Sequence, residues 1–217
     1  MYALLLLLVL AYLVYRHSSI SDEEVAVIPR RIGQRLAGLW AIAHHGMREN
    51  RLLRAEKALL TILKIDEKNA AAYNRLGILY AKQREYKDAI DCFEIASSLE
   101  PSASSLHNLG LIYYETENYE KAAIAFEQAL KLEDNLAARY LAYAKVEEKL
   151  GNNKVVLEAL EKAAELEPTA ETLGLLAKAY VAEDRSTDAA KIKKRLGRLA
   201  ESKKPSRRLL RPRRVVI

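Results

Sequence analysis

Two stretches of the chain repeat each other at a distance of 33 residues. The segment LGILYAKQREYKDAIDCFEIAS begins at Leu76, and LGLIYYETENYEKAAIAFEQAL begins at Leu109. The two copies share Leu-Gly, two Tyr residues, Ala, Phe and Ala at the same offsets. Repetition at this period predicts a stacked array of small units and argues against an enzyme built around one pocket.

Each unit reads as two amphipathic helices. Numbered from Ala70, bulky residues fall at positions 4, 7, 11, 17 and 24, and small residues fall at positions 8, 20 and 27. Apolar residues spaced three and four apart indicate helices, and a polar stretch between them indicates a turn. Small residues let two helices approach closely while bulky ones fill the remaining space. Units begin at residues 36, 70, 103, 137 and 170.

The copies differ in how fully they keep this pattern. The first clear copy has Tyr73, Leu76, Gly77, Tyr80, Tyr86, Ala89, Phe93, Ala96 and Pro101. The second has Leu106, Leu109, Gly110, Tyr113, Tyr119, Ala122, Phe126 and Ala129, with Asp134 in place of the proline. The third keeps Tyr140, Tyr143, Ala144, Gly151, Leu160, Ala163 and Pro168, and the fourth keeps Leu173, Leu176, Ala177, Tyr180 and Ala189. This pattern resembles the tetratricopeptide repeat (TPR).

The resemblance implies an all-α fold, a right-handed α-solenoid of helix hairpins. We expect the array to span residues 36–200, with clear repeats at 70–102, 103–136 and 137–169. Residues 36–69 and 170–200 are expected as divergent end repeats, because terminal units cap such a stack. Residues 21–35 are predicted to be a short connector, because this part of the chain is polar and acidic and contains Pro29.

The first fifteen residues carry no charged side chain. A helix of that length measures about 22 Å, so spanning a bilayer core of about 30 Å requires it to continue to about Ile20. The sequence therefore predicts a single transmembrane anchor over residues 1–20. Basic residues follow this segment, so the positive-inside rule places the N-terminus outside and the repeat array in the cytoplasm. A cleaved signal peptide and a buried helix of a soluble protein are the alternatives.

Catalysis and cofactor binding have no support in the sequence. Phosphate-binding glycine motifs, the H-E-x-x-H zinc motif and paired C-x-x-C are all absent from it. The single cysteine, Cys92, excludes an internal disulfide and a cysteine-based zinc cluster. The pair His44-His45 is a poor metal site, because adjacent helical residues point about 100° apart. We therefore expect neither an enzyme nor a protein that binds a cofactor or metal.

The resemblance implies an inner groove lined by the first helix of each repeat, at positions 2, 5, 9, 12 and 13. Small and apolar side chains with scattered amides suit a peptide or an amphipathic helix from a partner protein. The candidate partner-binding residues are Asn74, Ile78, Lys82, His107, Asn108, Leu111, Tyr114, Leu141 and Lys145. The carboxylate clamp that some members of this family use is not matched, because only Asn108 occupies a clamp position with the required residue type.

Charge is divided unevenly along the chain. Residues 191–217 hold 12 basic side chains and one acidic one, whereas residues 1–190 hold 23 basic and 28 acidic ones. The tail at residues 201–217 could be a solubilising end, or it could contact anionic lipid. Nucleic acid ranks lower because no aromatic residue is interleaved after Tyr180. The candidate contact residues are Lys203, Lys204, Arg207, Arg208, Arg211, Arg213 and Arg214.

These features predict a membrane-tethered scaffold that recruits a partner protein through its groove. An N-terminal anchor followed by cytosolic repeats is similar to the layout of bacterial lipopolysaccharide assembly protein B and of mitochondrial outer-membrane import receptors. An exported repeat protein acting in envelope assembly is the alternative, as is binding of nucleic acid or another anionic surface through the basic tail.

Overall fold

The computed structural model describes residues 22–202 and the side chains of residues 31–201. Within this range the chain forms ten α-helices joined by short turns. They are α1 (Asp22–Arg48), α2 (Leu52–Ile65), α3 (Ala70–Gln83), α4 (Tyr86–Leu99), α5 (Ala103–Glu115), α6 (Tyr119–Leu132), α7 (Ala137–Leu150), α8 (Asn153–Leu166), α9 (Ala170–Ala182) and α10 (Ser186–Ser202). The predicted all-α fold is confirmed for this part of the chain.

Consecutive helices pair as five hairpins, from α1 with α2 to α9 with α10. The second helix of each hairpin also packs against the first helix of the next one. The first helices α3, α5, α7 and α9 begin at Ala70, Ala103, Ala137 and Ala170. This stacking order makes the described part of the chain a helical solenoid, in which each unit contacts its neighbours in sequence.

The turn inside each hairpin uses the same backbone conformation at the same repeat position. One residue per turn has positive φ, at Asn50, Arg84, Glu117, Gly151 and Asp184. A left-handed residue commonly ends a helix because its N–H then bonds carbonyls of the last turn. The regularity reaches the first and last hairpins, where the side-chain pattern is weak.

Tyrosines at position 11 tie neighbouring hairpins together. Tyr180 on α9 donates a hydrogen bond of 2.7 Å to Glu161 on α8, in the preceding hairpin. Tyr80 on α3 does the same to Glu56 on α2 at 3.1 Å. Glu147 occupies this position in α7, where it is buried and accepts a bond of 2.7 Å from Asn152. The departure from the pattern is therefore accommodated by a different hydrogen bond.

The junction between α6 and α7 also departs from the other junctions. It has Asp134 in place of proline, and α7 begins after Leu136 without a side-chain cap. Arg139, only 6% exposed, closes the junction instead. Its guanidinium donates to the carbonyl oxygen of Glu133 at 3.1 Å and to the Glu133 carboxylate at 2.7 Å. A buried arginine thus satisfies a carbonyl that the helix end leaves free.

The C-terminal hairpin ends the stack with a charged helix. In α10 the side chain of Ala189 is buried, and Ile192, Leu196 and Leu199 are partly buried. Its remaining surface is exposed and basic, including Lys191, Lys193, Lys194, Arg195 and Arg198. A polar outer face of this kind is what a terminal capping repeat requires.

The connector predicted for residues 21–35 differs from the structure. Residues 22–35 form the first part of α1, and Pro29 lies inside that helix rather than in its first turn. The sequence signal for the earlier start is the acidic run at residues 22–24, because acidic residues favour the first turn of a helix. In this chain Pro29 therefore does not mark the end of a connector.

No helix between residues 22 and 202 is both long enough and apolar enough to cross a membrane. The anchor predicted at residues 1–20 lies outside the described residues, and so do the candidate contact residues of the tail from Lys203 onward.

Candidate functional site

The first helices of neighbouring hairpins lie side by side along one face of the array. Contacts join α3 to α5 and α5 to α7. Positions 5, 9 and 12 of these helices therefore approach one another from successive repeats. We call the cleft that they form between α5 and α7 the inner cleft.

The inner cleft has a volume of about 280 Å³. Five of the nine partner-binding residues predicted from the sequence line it, namely His107, Leu111, Tyr114, Leu141 and Lys145. Four other residues also line it, namely Glu115, Phe126, Ala138 and Ala142. Glu115 and Ala138 stand at the groove positions 13 and 2 that the resemblance implies, whereas Phe126 and Ala142 stand outside those positions. Leu111, which lines the cleft, is 39% exposed. The cleft is therefore an apolar depression open to solvent.

His107 forms part of the wall of the cleft, and its surroundings favour the neutral imidazole. Its ring meets the ring of Phe126 edge-on, with centroids 5.3 Å apart. Burial, and then the positive charge of Arg139, lower the pKa of His107 below its usual value. Its Nδ1 atom is buried without a hydrogen-bond partner among the described residues. The imidazole therefore presents a largely apolar surface at neutral pH.

A second cleft, of about 220 Å³, continues the groove between α7 and α9. Lys145 lines both clefts, and its ammonium group binds the Glu171 carboxylate at 2.9 Å. Both side chains of this ion pair are largely exposed, so it contributes little to stability and can exchange partners. In the fourth copy, the groove positions 2, 9 and 13 that the resemblance implies are Glu171, Lys178 and Ala182.

The remaining predicted groove residues lie on or near α3, away from the inner cleft. Asn108 donates a hydrogen bond of 3.4 Å to the Asn74 side chain, so these two amides bridge α5 and α3. Ile78 is half-buried and packs against the core cluster of Phe93 and Phe126. Lys82 is exposed. Asn74 and Asn108 therefore bridge two helices and Ile78 packs in the core, so these three predicted residues do not line the inner cleft.

The residues considered for metal or thiol chemistry have ordinary structural surroundings. The ring of His44 lies tilted against the ring of Trp40 with centroids 5.5 Å apart, and His45 contacts the Glu49 carboxylate at 3.0 Å. Burial raises the pKa of the Cys92 thiol to about 11, with smaller contributions from nearby aspartates, so the reactive thiolate is disfavoured. Residues 22–202 hold no group of three or more His, Cys, Asp or Glu side chains placed to bind a metal ion.

The central part of the chain matches a known family of repeats. Residues 68–134 match the family model described as tetratricopeptide repeat. No curated protein sequence matches the chain. The sequence comparison thus supports repeats over the two copies that keep the pattern most fully.

Solved structures share the fold over most of the chain. A crystal structure of the MamA protein is similar with a TM-score of 0.71 and 22% identity, over 83% of this chain and all of the other. MamA from Desulfovibrio magneticus RS-1 gives 0.70 and 18%, over 79% of this chain and 98% of that one. YrrB, described as a TPR protein with an unusual peptide-binding site, gives 0.64 and 20%, over 74% and 84%.

Proposed function

We propose that the chain is a protein-interaction scaffold whose inner cleft binds a peptide or helix from a partner protein. The match of residues 68–134 to the tetratricopeptide repeat and the solenoid fold support this proposal. The observation that carries this proposal is the open apolar cleft between α5 and α7. The proposal includes no catalytic step and no cofactor.

The chemistry of the cleft supports a protein ligand. Its backbone groups are engaged in helices, so recognition must come from side chains that fill the depression and from polar groups at its rim. Leu111, Leu141 and the ring of Tyr114 offer apolar surface, and Lys145 places a positive charge beside it. An amphipathic helix or an extended peptide with apolar anchor residues matches such a surface.

Proximity labelling in the native cell tests the proposal. The full chain is compared with a cleft variant, Leu111→Asp with Tyr114→Ala, and with an outer-face control, Ile124→Asp. Ile124 lies on α6 and is 55% exposed, so the control adds the same charge without touching the cleft. We expect the cleft variant to lose specific partners that the control keeps. Identical partner sets for all three proteins would exclude the cleft as the binding surface.

We further propose that residues 1–20 attach this scaffold to a membrane, with the N-terminus outside and the repeats in the cytoplasm. The support is the uncharged run before Arg16 and the basic residues that follow it. Export after signal cleavage is the alternative, and it predicts a mature protein that begins near Asp22. N-terminal sequencing of the membrane and soluble fractions separates the two, because only the anchor hypothesis keeps residue 1 in the membrane fraction.

The basic segment after α10 gives a second candidate contact, with anionic lipid. Seven Lys or Arg residues between positions 203 and 214, without an acid among them, support it. Vesicles containing phosphatidylserine should bind the full chain more tightly than neutral vesicles, and removal of residues 203–217 should abolish the difference. A nucleic-acid function predicts instead that salt-sensitive binding to single strands is lost on the same truncation.

A further inference from the structure

Two hairpins of the array have a groove between their helices at the same repeat positions. The side chains that line one groove are mainly acidic, and the charged side chains that line the other are basic. In the hairpin of α7 and α8 it has a volume of about 460 Å³ and is lined by Tyr140, Tyr143, Val155, Glu158, Ala159, Glu161, Lys162 and Glu165. Three repeats earlier, the corresponding groove in the hairpin of α1 and α2 has Lys57 where this one has Glu158. We call the groove of α7 and α8 the acidic groove. It is separate from the inner cleft.

The acidic groove combines aromatic rings with excess negative charge. Three carboxylates line it; Glu165 pairs with Lys162 at 2.9 Å and Glu161 lies 3.7 Å from Arg185, which leaves the charge of Glu158 as the excess. Glu158 makes no ion pair within residues 31–201. Burial, followed by the negative charges of Glu147 and Glu127, raises the pKa of Tyr143 to about 12. The site therefore favours a cation that can also lie against an aromatic ring.

The chain already shows how an arginine binds at the edge of this surface. The guanidinium of Arg185 lies 4.6 Å from the centre of the Tyr180 ring and 3.7 Å from the carboxylate of Glu161. Glu161 is itself a lining residue of the acidic groove. A ring and a carboxylate thus share one guanidinium, an arrangement that Tyr143 and Glu158 can repeat for an incoming arginine.

We propose that the chain's own basic segment, residues 203–217, occupies the acidic groove. Its sequence, KKPSRRLLRPRRVVI, has seven basic residues, no acidic one, and an apolar pair, Leu209-Leu210, between arginines. The arginines match the carboxylates, and the leucines match the apolar part of the lining, which comes from Val155 and the tyrosine rings. The corresponding groove of α1 and α2 has Arg54 and Lys57 at its rim and repels the same segment.

The segment can reach the groove. The helices α8 and α10 are both second helices of their hairpins, and Glu165 and Ser202 lie at their C-terminal ends. Because the hairpins repeat one another, these two C-terminal ends are expected on the same side of the array. Fifteen residues follow Ser202, and extended they cover about 50 Å. Both α8 and α10 pack against α9, and packed helices lie about 8–10 Å apart, so α8 and α10 are about 20 Å apart at most and the segment is long enough to bridge them.

This inference goes beyond the scaffold function, because it gives the basic segment a partner within the chain. While the acidic groove holds the basic side chains of this segment, those side chains are not available to bind anionic lipid or nucleic acid. Binding of the segment to an outside surface must then compete with docking, and the groove sets how readily the segment is released.

Cross-linking and proteolysis of the full chain in neutral detergent test the proposal. A carbodiimide joins Lys203 or Lys204 to a nearby carboxylate, and mass spectrometry of the monomer identifies which one. Trypsin cleavage after the arginines at 207 and 208 measures protection of the segment. Two variants are compared, Glu158→Gln with Glu165→Gln in the groove, and Asp91→Asn with Glu120→Gln on α4 and α6. Both remove two exposed carboxylates, so they change the net charge equally.

We expect intramolecular cross-links to Glu158, Glu161 or Glu165, and cleavage that is about fivefold faster in the groove variant than in the parent or the control. Circular dichroism should show equal helix content in all three proteins. Equal cleavage rates for the two variants would overturn the proposal. Cross-links confined to other carboxylates, or found only between two copies of the chain, would overturn it as well.

Discussion

The ring of Phe93 occupies the space into which a side chain on Gly77 would project: a Cβ atom there would lie 2.7–2.8 Å from three ring atoms. Gly110 and Phe126 repeat this relationship one unit later, at 2.9–3.0 Å. In two other hairpins, alanine stands at the position of the glycine and leucine stands at the position of the phenylalanine. Ala43 and Leu59 share one buried cluster, and Ala144 and Leu160 share another. The volumes facing each other within a hairpin therefore compensate.

Replacing Gly77 by alanine should destabilise the array. The added methyl group has to displace the Phe93 ring, at a cost of about 1–3 kcal/mol. Urea unfolding of the full chain in neutral detergent measures the free energy of unfolding. The matched control is Gly174→Ala in α9, where an added Cβ would meet nothing within 4 Å. That change should instead stabilise the protein by about 0.5–1 kcal/mol, because alanine loses less entropy in a helix.

Shortening the facing ring should rescue the same substitution. Phe93→Leu alone leaves a cavity, but combined with Gly77→Ala it recreates the pairing seen at Ala144 and Leu160. The double variant should be more stable than the sum of the two single changes predicts, by about 0.5–3 kcal/mol. Strict additivity in the same urea experiment would show that the two positions do not share one volume.

Alkaline pH should weaken the bonds between hairpins. Burial, and then the hydrogen bond to Glu161, raise the pKa of Tyr180 to about 12 from its usual 10.0. Because the folded pKa is the higher one, this contribution to stability is complete below pH 10 and is lost as the pH rises through about 12. The free energy of unfolding should fall over that range.

The variant Tyr180→Phe separates this effect from general alkaline unfolding. It should cost about 0.5–1.5 kcal/mol at neutral pH, because the hydrogen bond to Glu161 is lost. Its free energy of unfolding should then fall less steeply between pH 10 and pH 12 than that of the parent. An unchanged slope would contradict the assignment.

The junction after α6 should accept the missing proline. Glu133 precedes Asp134 with φ −148° and ψ 117°, close to the −148° and 98° of Glu100, which precedes Pro101. Asp134→Pro should therefore stabilise the protein by about 0.4–1 kcal/mol by restricting the unfolded chain. Glu133→Pro is the control, because the Glu133 N–H bonds the Ala129 carbonyl oxygen at 3.0 Å. Glu133→Pro should lower the urea concentration at the midpoint of unfolding, whereas Asp134→Pro should raise it.

Periodicity was sufficient to predict the helices of the array, because each unit must place small and bulky residues at fixed positions to stack. The starts of α3, α5, α7 and α9 follow directly from it. Periodicity could not predict how the junction after α6 is closed when Asp134 replaces the proline. Arg139 reaches the Glu133 carbonyl across the junction, and this contact depends on packing that no local pattern encodes.

The position rule for the groove was only partly informative for the same reason. It selects residues that point toward the inner face of an ideal array, and Leu111 and Tyr114 line the inner cleft as it implies. It does not distinguish these from Asn74, which accepts a hydrogen bond from Asn108 on α5, or from Ile78, which packs into the core. The rule does not select Phe126, because this residue lies on the second helix α6 and the rule covers only first helices.

Site-specific photo-cross-linking in the native cell tests the central claim, that the inner cleft captures a partner segment. A photoreactive phenylalanine analogue is placed at Leu111 in the cleft and, separately, at Ile124 on the outer face; both side chains are exposed. We predict a discrete protein adduct from position 111 that is absent from position 124 and disappears when Leu141→Asp is added. The same adduct from both positions, or an adduct only from position 124, would contradict the account.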